Sequence, residues 1–194
     1  RPSEFHLITP KLVVKEGAKL KAGDVIFYSK TEEKIKFVSP VSGIVQKIER
    51  GAKRVITEIV IEADQKDDYL DHGAASIVSM DENEIKNHLL ATGCWPFIKQ
   101  RPYDIIANPD IKPKAIFVSA FSTAPLAADF DFTLMGKEKE LQAAVSAVSK
   151  LTDGALNVGV GKNSKSIFEG LKDISVHTVT GIHPAGNVGT LINK

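Results

Sequence analysis

Few residues in this chain have the type and spacing that chemistry needs, and each can be set against the reaction it would serve. Cys94 is the single cysteine. A thiol becomes a nucleophile when a base or a cation draws off its proton, and GCWPFIKQRP places no identifiable base beside it. One cysteine also rules out an intrachain disulfide and leaves no spaced thiols for zinc or an iron–sulfur cluster. His72, in DHGAAS, has no second ligand at metal-binding spacing, and His88 is a flank of the helical stretch IKNHLLATG rather than a base. Gly159 and Gly161 form a lone GVG. The third glycine and the immediate helix start that a dinucleotide pyrophosphate requires are both missing. Lys47, Arg50, Lys53 and Arg54 cluster at a strand end, where a solvated surface is the ordinary reading and a partner or phosphate site the other. There remains an aromatic and proline-rich knot, Trp95, Pro96 and Phe97, followed by Gln100 and Arg101. No acid–base pair in a recognisable geometry accompanies it.

The bulk properties narrow the classes. The chain has 194 residues, enough for one large or two small domains, and a formal net charge of +1, which recruits neither nucleic acid nor an anionic membrane by itself. Its single cysteine suits a reducing, cytoplasmic compartment. No apolar run approaches the roughly 20 residues of a spanning helix. The chain opens on Arg1-Pro2, without an initiator methionine or a signal-peptide pattern, which predicts a piece of a longer protein.

The elements that must position these residues fall in two kinds. From Lys11 to Ile61, β-branched segments alternate with turns at Gly17, Gly23, Gly43 and Gly51, predicting a flattened β-barrel or sandwich over residues 1–65. Residues 66–102 read as a polar linker and a helix. Asp81 and Glu84 have the spacing of a capping box, Ile85, Leu89 and Leu90 make the buried face, and Gly93 ends it. Over 103–180 the period changes. Lys114–Phe121 predicts a strand buried on both faces, and a helix begins within GKEKELQ, carrying Leu141, Val145, Val148 and Leu151. A strand follows over Ala155–Val160, then a helix over NSKSIFEGL capped by Asn163, with Ile167, Phe168 and Leu171 inward, and a third strand over Ser175–Thr180. Strand, helix, strand, helix, strand predicts an α/β, Rossmann-like parallel sheet with right-handed crossovers. Residues 181–194 read as an exit segment toward a further domain.

Two resemblances add to this. VKEGAKLKAGDVIF followed by SPVSGIVQKI is similar to the biotinyl/lipoyl-like family, whose hairpins carry V-x-x-G-x-x-V-x-x-G-D and a later P-x-x-G-x-V. In carrier members a hairpin-tip lysine takes the prosthetic group. Here Lys30 and Lys34, in YSKTEEKIKF, are the candidates, without the expected Met-Lys-Met or Asp-Lys-Ala setting, so an unmodified docking module is implied.

Across nearly the whole chain, GCWPFIKQRP, IFVSAFSTAPLAAD and GIHPAGNVGTLI, in order after VKEGAKLKAGDVIF, SPVSG and ERGAKRV, resemble the NqrA family of the Na⁺-translocating NADH:quinone reductases. That family is similar to the flavin-binding subunit of respiratory complex I and to an Rnf subunit. In those relatives a G-x-G-G-A-G-F-P loop cradles flavin phosphate at the position of the knot, and the later strand ends in E-C-E-P. Here Cys94, Trp95, Pro96 and Phe97 follow Gly93, and the strand ends in Ser122, Thr123, Ala124 and Pro125. Bulky side chains stand where bare amides would be needed, and Pro96 lacks an N–H, so a flavoprotein scaffold without its FMN site is expected.

The resemblance implies a peripheral subunit on the cytoplasmic face of the bacterial inner membrane, with membrane-embedded partner subunits and quinone as substrate of the complex. It implies FMN, FAD, riboflavin and iron–sulfur on other subunits and no cofactor or metal here. The knot is then either core or a wall of Trp95, Phe97, Gln100 and Arg101 that meets quinone or a partner. Gly43, Gly51, Pro125, His183, Pro184 and Gly186 are expected to be structural, with His183 bonded to backbone in a structured exit turn. A lipoyl- or biotinyl-type carrier and an FMN-binding oxidoreductase component are the alternatives.

Overall fold

The computed structural model describes residues 1–73, 76–162 and 166–193. The chain divides into two compact units, Arg1–Ala75 with Lys86–Pro109, and Ser76–Ile85 with Asp110–Lys194.

The first unit is built on two antiparallel three-stranded sheets. One has the order β1 (Pro10–Leu12), β3 (Val25–Ser29), β4 (Lys36–Val38), and the other β2 (Lys19–Leu20), β5 (Gly43–Arg50), β6 (Ile56–Ala63). Strand alternation would send Ile26 and Phe27 to opposite faces, yet both are buried, because the β3–β4 register shifts between Val25 and Phe27. Phe27 stacks on Phe37 at 4.3 Å between ring centroids, and Phe5 meets Phe37 edge-on at 4.7 Å. Ser29, Ser39 and Ser42 are buried in this apolar setting. Each has a partner: Thr31 Oγ1, the Val41 carbonyl and Asp64 Oδ1.

Gly43 is not a turn residue, as its spacing predicts, but the first residue of β5, between Leu20 and Ala63. Its φ of +154° and a would-be Cβ 1.9 Å from the Glu62 carbonyl oxygen leave room for glycine alone. The polar stretch after β6 begins on the barrel surface, where Ala22 donates to the Asp68 carbonyl and Leu70 to that of Ala22. A two-stranded ribbon, β7 (Lys99–Gln100) with β8 (Ile105–Ile106), completes the unit.

Helix α1 (Glu82–Ala91) starts as its sequence dictates. Asp81 Oδ1 accepts from the Glu84 amide and Glu84 Oε2 from the Asp81 amide, both at 2.8 Å. Its end is closed by the Cys94 amide donating to the Leu89 carbonyl across Gly93. Ile85 and Leu90 are buried and Leu89 is half-buried.

The second unit carries a parallel sheet of order β11-β10-β9, formed by β9 (Ile116–Ser119), β10 (Leu156–Gly161) and β11 (Ser175–Val179). Only the central strand is buried throughout its apolar positions, with Val158 at 0% and Val160 at 1% exposure. The half-burial of β9 departs from the expectation of burial on both faces, since β9 is an edge strand here. Helices α2 (Phe130–Thr133) and α3 (Glu138–Ser149) lie between β9 and β10, and α4 (Val188–Ile192) follows β11. The helix expected over NSKSIFEGL is instead a 3-10 turn, Ile167–Gly170, capped by Ser166, whose Oγ accepts from the Phe168 amide. Asn163, the expected cap, lies outside the described residues. Val118, Leu134, Leu141, Ile167, Leu171 and Ile174 pack around Ala120, Val158, Val160 and Phe168.

Two lysines fasten the 76–85 segment to this unit. The Lys150 ammonium donates to the carbonyls of Ile77, Val78 and Met80 at 2.7, 3.2 and 2.9 Å. Lys112 bridges Asp153 at 2.6 Å and Glu82 at 2.7 Å, and hydrogen bonds first to Asp153 and then to Glu82 raise its pKa. Among the described residues, no helix is long and apolar enough to cross a membrane.

Candidate functional site

The knot lies in the first unit, as a 3-10 turn over Trp95–Phe97 between α1 and β7. A turn this tight points neighbouring side chains in different directions, and burial separates them. Trp95 is 5% exposed, with its indole N–H donating to the Ala107 carbonyl at 2.8 Å, and Pro96 is fully buried. Phe97 is 77% exposed, and Tyr103, in the turn between β7 and β8, is also open to solvent. Gln100 Oε1 accepts from the Asn108 amide, and Arg101 Nη2 lies 3.7 Å from Asp104 Oδ1. Cys94 is exposed.

The main chain of the knot faces inward as well. The amides of Cys94, Phe97 and Ile98 donate to the carbonyls of Leu89, Cys94 and Trp95, and Pro96 has no N–H. An anion nest needs consecutive amides aimed at one point, and this turn has spent most of its amides on itself. It can present Phe97 and the rims of Gln100 and Arg101 to an apolar or mixed partner.

The second unit has its own focus, at the carboxyl end of the parallel sheet, where open α/β sheets commonly hold ligands. The Ser119 hydroxyl, with one proton, lies 2.5 Å from the Gly186 carbonyl and 2.8 Å from that of Phe121, and the Gly186 amide donates to Thr123 Oγ1 at 3.2 Å. A Cβ on Gly186 would stand 2.9 Å from the Thr123 nitrogen. His183 Nδ1 lies 3.3 Å from Thr123 Oγ1, so its partner is a side chain and not the backbone as expected. Pro184 is exposed and offers its carbonyl to the Asn187 amide and the Thr190 hydroxyl. Pro125 is exposed in a turn where Ser122 Oγ accepts from the Ala124 amide.

Gly159 and Gly161 belong to β10 itself, and Leu191 of α4 covers Gly159, with its Cδ1 2.6 Å from where a Cβ would be. The chain's own exit segment therefore packs over the strand ends. That Ser119 and Thr123 meet Gly186, and that Leu191 covers Gly159, has no signal in the sequence. The bonds of Gly186 to Ser119 and Thr123 bridge 67 and 63 residues, and no local spacing signals such a contact.

The remaining candidates sit apart. Lys30 and Lys34 are exposed at the tip between β3 and β4, where the Lys30 amide donates to the Thr9 carbonyl and that of Lys34 to Glu32. His72 and His88 meet edge-on with ring centroids 6.4 Å apart. Among the described residues no group of three metal-ligating side chains occurs. Gly51 leads from β5 into the β5–β6 turn, whose cations are Arg50, Lys53 and Arg54. Lys47 pairs with Glu49 at 2.7 Å, which raises the lysine pKa and lowers that of the carboxyl.

Residues 1–64 match the family model of the NqrA N-terminal barrel-sandwich hybrid domain, and residues 80–194 that of the NqrA second alpha/beta domain. The chain belongs to the NqrA family. Similar curated proteins, each named as a Na(+)-translocating NADH-quinone reductase subunit of this kind, include those of Saccharophagus degradans, 32% identical over 98% of this chain and 43% of that protein, and of Alcanivorax borkumensis, 35% identical over 95% and 42%. The Marinomonas protein is 31% identical over 98% of this chain and 43% of its own. The chain thus spans less than half the length of the curated relatives it matches. Membership of the family agrees with the resemblance carried by GCWPFIKQRP and GIHPAGNVGTLI, and the barrel-sandwich description with the two antiparallel sheets of the first unit.

Proposed function

We propose that the chain is the barrel and parallel-sheet part of a peripheral subunit of a Na⁺-translocating NADH:ubiquinone oxidoreductase, and that it serves quinone binding and assembly without a redox cofactor of its own. In this reading the subunit sits at the cytoplasmic face of the bacterial inner membrane against membrane-embedded partners. FMN, FAD, riboflavin and iron–sulfur centres on the other subunits of the complex carry electrons from NADH. The stretch from residue 80 to 194, which takes in the knot and the parallel sheet, is a relative of the complex I flavoprotein scaffold that has lost its FMN loop, and the isolated chain turns over nothing.

The observation that carries the reading is the amide inventory of the knot. With Cys94, Phe97 and Ile98 bonded inward and Pro96 lacking a donor, the turn offers flavin phosphate little to bind. The same turn leaves Phe97 outward, flanked by Gln100 and Arg101, with Trp95 holding it from behind. Such a surface suits a quinone ring or an apolar partner face.

The test is made on the complete complex. Membranes lacking this subunit should lose NADH oxidation coupled to quinone and keep NADH oxidation by an artificial acceptor, and the subunit should co-purify with the membrane subunits. Quinone-linked turnover that survives its removal sinks the proposal. Two companion measurements address the other readings: a saturable FMN titration of the chain would indicate a flavoprotein, and lipoate or biotin mass on Lys30 or Lys34 a carrier.

A further inference from the structure

The hairpin of β5 and β6 carries charge in an arrangement that neither its fold nor the proposed role in quinone chemistry uses. Each strand has eight residues, so the hairpin is about 25 Å long. Beyond Val45, which is buried, Gln46, Lys47 and Arg50 are exposed, as is the whole turn Gly51–Val55. Toward the outer end of this arm the carboxylates are already answered, while Glu62 at its base accepts from Gln46 Nε2. Glu49 and Glu58 face each other in register, an unfavourable like-charge pair, and each has its own cation, Lys47 at 2.7 Å and Arg1 at 2.9 Å. The tip is left with Arg50, Lys53 and Arg54. Arg50 reaches over the turn to the Arg54 carbonyl at 3.3 Å, and no ion pair among the described residues reaches Lys53 or Arg54.

The backbone of the tip adds an independent observation. Lys53 and Arg54 hold φ of 54° and 61°, two consecutive left-handed residues with side chains. Glycine or asparagine would adopt this conformation at less cost. The conformation is shared by Leu7, Gln65, Asp67, Asp104, Leu126 and Asp173, but here it places two long cations next to each other in the turn between the strands. Val55, 58% exposed, adds one apolar side chain beside them.

We propose that this tip docks on the phosphates of an anionic phospholipid surface. Three unneutralised cations at the end of an arm, with one aliphatic side chain among them, complement a layer of lipid phosphates above hydrocarbon. The choice of a lipid surface rests on the reading of the chain as part of a membrane complex. Loss of vesicle binding with intact co-purification would remove the docking surface and leave that reading standing.

The experiment is co-sedimentation of the 194-residue chain with vesicles of phosphatidylcholine alone and of phosphatidylcholine with phosphatidylglycerol. Binding is expected only to the anionic vesicles and should fall steeply as salt is raised. Each of Arg50→Gln, Lys53→Gly and Arg54→Gly should weaken it about fivefold and the triple variant about a hundredfold. Lys21→Gln, at an exposed site elsewhere on the barrel, should leave it unchanged. Because Lys53→Gly and Arg54→Gly also relieve left-handed backbone, both should raise the melting midpoint, so weaker binding cannot be ascribed to unfolding. Equal binding to both vesicle types, no binding to either, or an equal loss in Lys21→Gln overturns the proposal. Retention of the tip by an acidic protein face of the complex, without vesicle binding, overturns it too.

Discussion

Adding one methyl group at Gly186 tests whether the exit segment closes the carboxyl end of the parallel sheet. In Gly186→Ala the new Cβ would lie 2.9 Å from the Thr123 nitrogen and 3.2 Å from both the Phe121 oxygen and Ser122 Cα. All three are main-chain atoms, so no rotamer change relieves the contact, and the turn must move off the loop. That movement loosens the Gly186 amide's bond to Thr123 and the Ser119 hydroxyl's bond to the Gly186 carbonyl. Each such bond contributes about 1 kcal/mol. It also lifts buried Ala185 from its seat.

With the general cost of overpacking, about 1–3 kcal/mol, Gly186→Ala should destabilise the second unit by about 2–4 kcal/mol. Ser119→Ala removes one of the same bonds without inserting anything and should cost about 1 kcal/mol. The double variant should cost less than the sum, because the bond broken by the first change is absent in the second. Native-state hydrogen exchange in increasing urea, read on peptides spanning β9 and β10, measures all three in the second unit. A Gly186→Ala effect below about 0.5 kcal/mol, the range of ordinary surface substitutions, or strict additivity with Ser119→Ala, would refute the closure.

Other outcomes follow from particular contacts. Trp95→Phe keeps most of the buried ring but leaves the Ala107 carbonyl without its donor, and should lower the stability of the first unit by about 1–3 kcal/mol in urea unfolding. Asp81→Ala opens the capping box and should cost about 1 kcal/mol, with faster exchange of the first-turn amides of Glu82–Ala91. Val158→Ala, at a position with 0% exposure, should cost about 2 kcal/mol in the same measurement. Asp64 is held below the ordinary aspartate range first by the Ser42 hydroxyl and next by the Lys66 amide. A depressed carboxyl stabilises the fold above its unfolded pKa, and that contribution is lost as pH falls through the lowered value. Ser42→Ala should therefore move the Asp64 titration upward toward the ordinary range, as read by carboxyl chemical shifts, and an unmoved titration would exclude the assigned cause.

Much of the architecture was legible because its signals are local. The capping box of Asp81 and Glu84 needs only residues three apart, and both of its hydrogen bonds form. The strands at 116–119, 156–161 and 175–179 follow from apolar and β-branched runs bounded by turn residues. Local signals misled where they were short of context. The stretch containing Ile167, Phe168 and Leu171 has helical spacing, yet it forms a 3-10 turn packed on the sheet by Phe168. Gly43 looks like a turn glycine, but a strand presses against it.

Spacing and composition alone predict the barrel and the parallel sheet, from β-branched segments between turn glycines and from apolar strand runs separated by helical spacing, although the second of those helices forms only as a 3-10 turn. They also settle that bulky residues and a proline occupy the knot. Only the folded chain decides that Trp95 goes inward while Phe97 goes outward, that the amides of the knot bond to its own turn, and that Gly186 and Leu191 cover the strand ends. The knot's amides close a local turn and the Trp95 indole meets Ala107 twelve residues on, whereas Gly186 meets Ser119 and Thr123 across more than sixty residues, a pairing that no local periodicity signals.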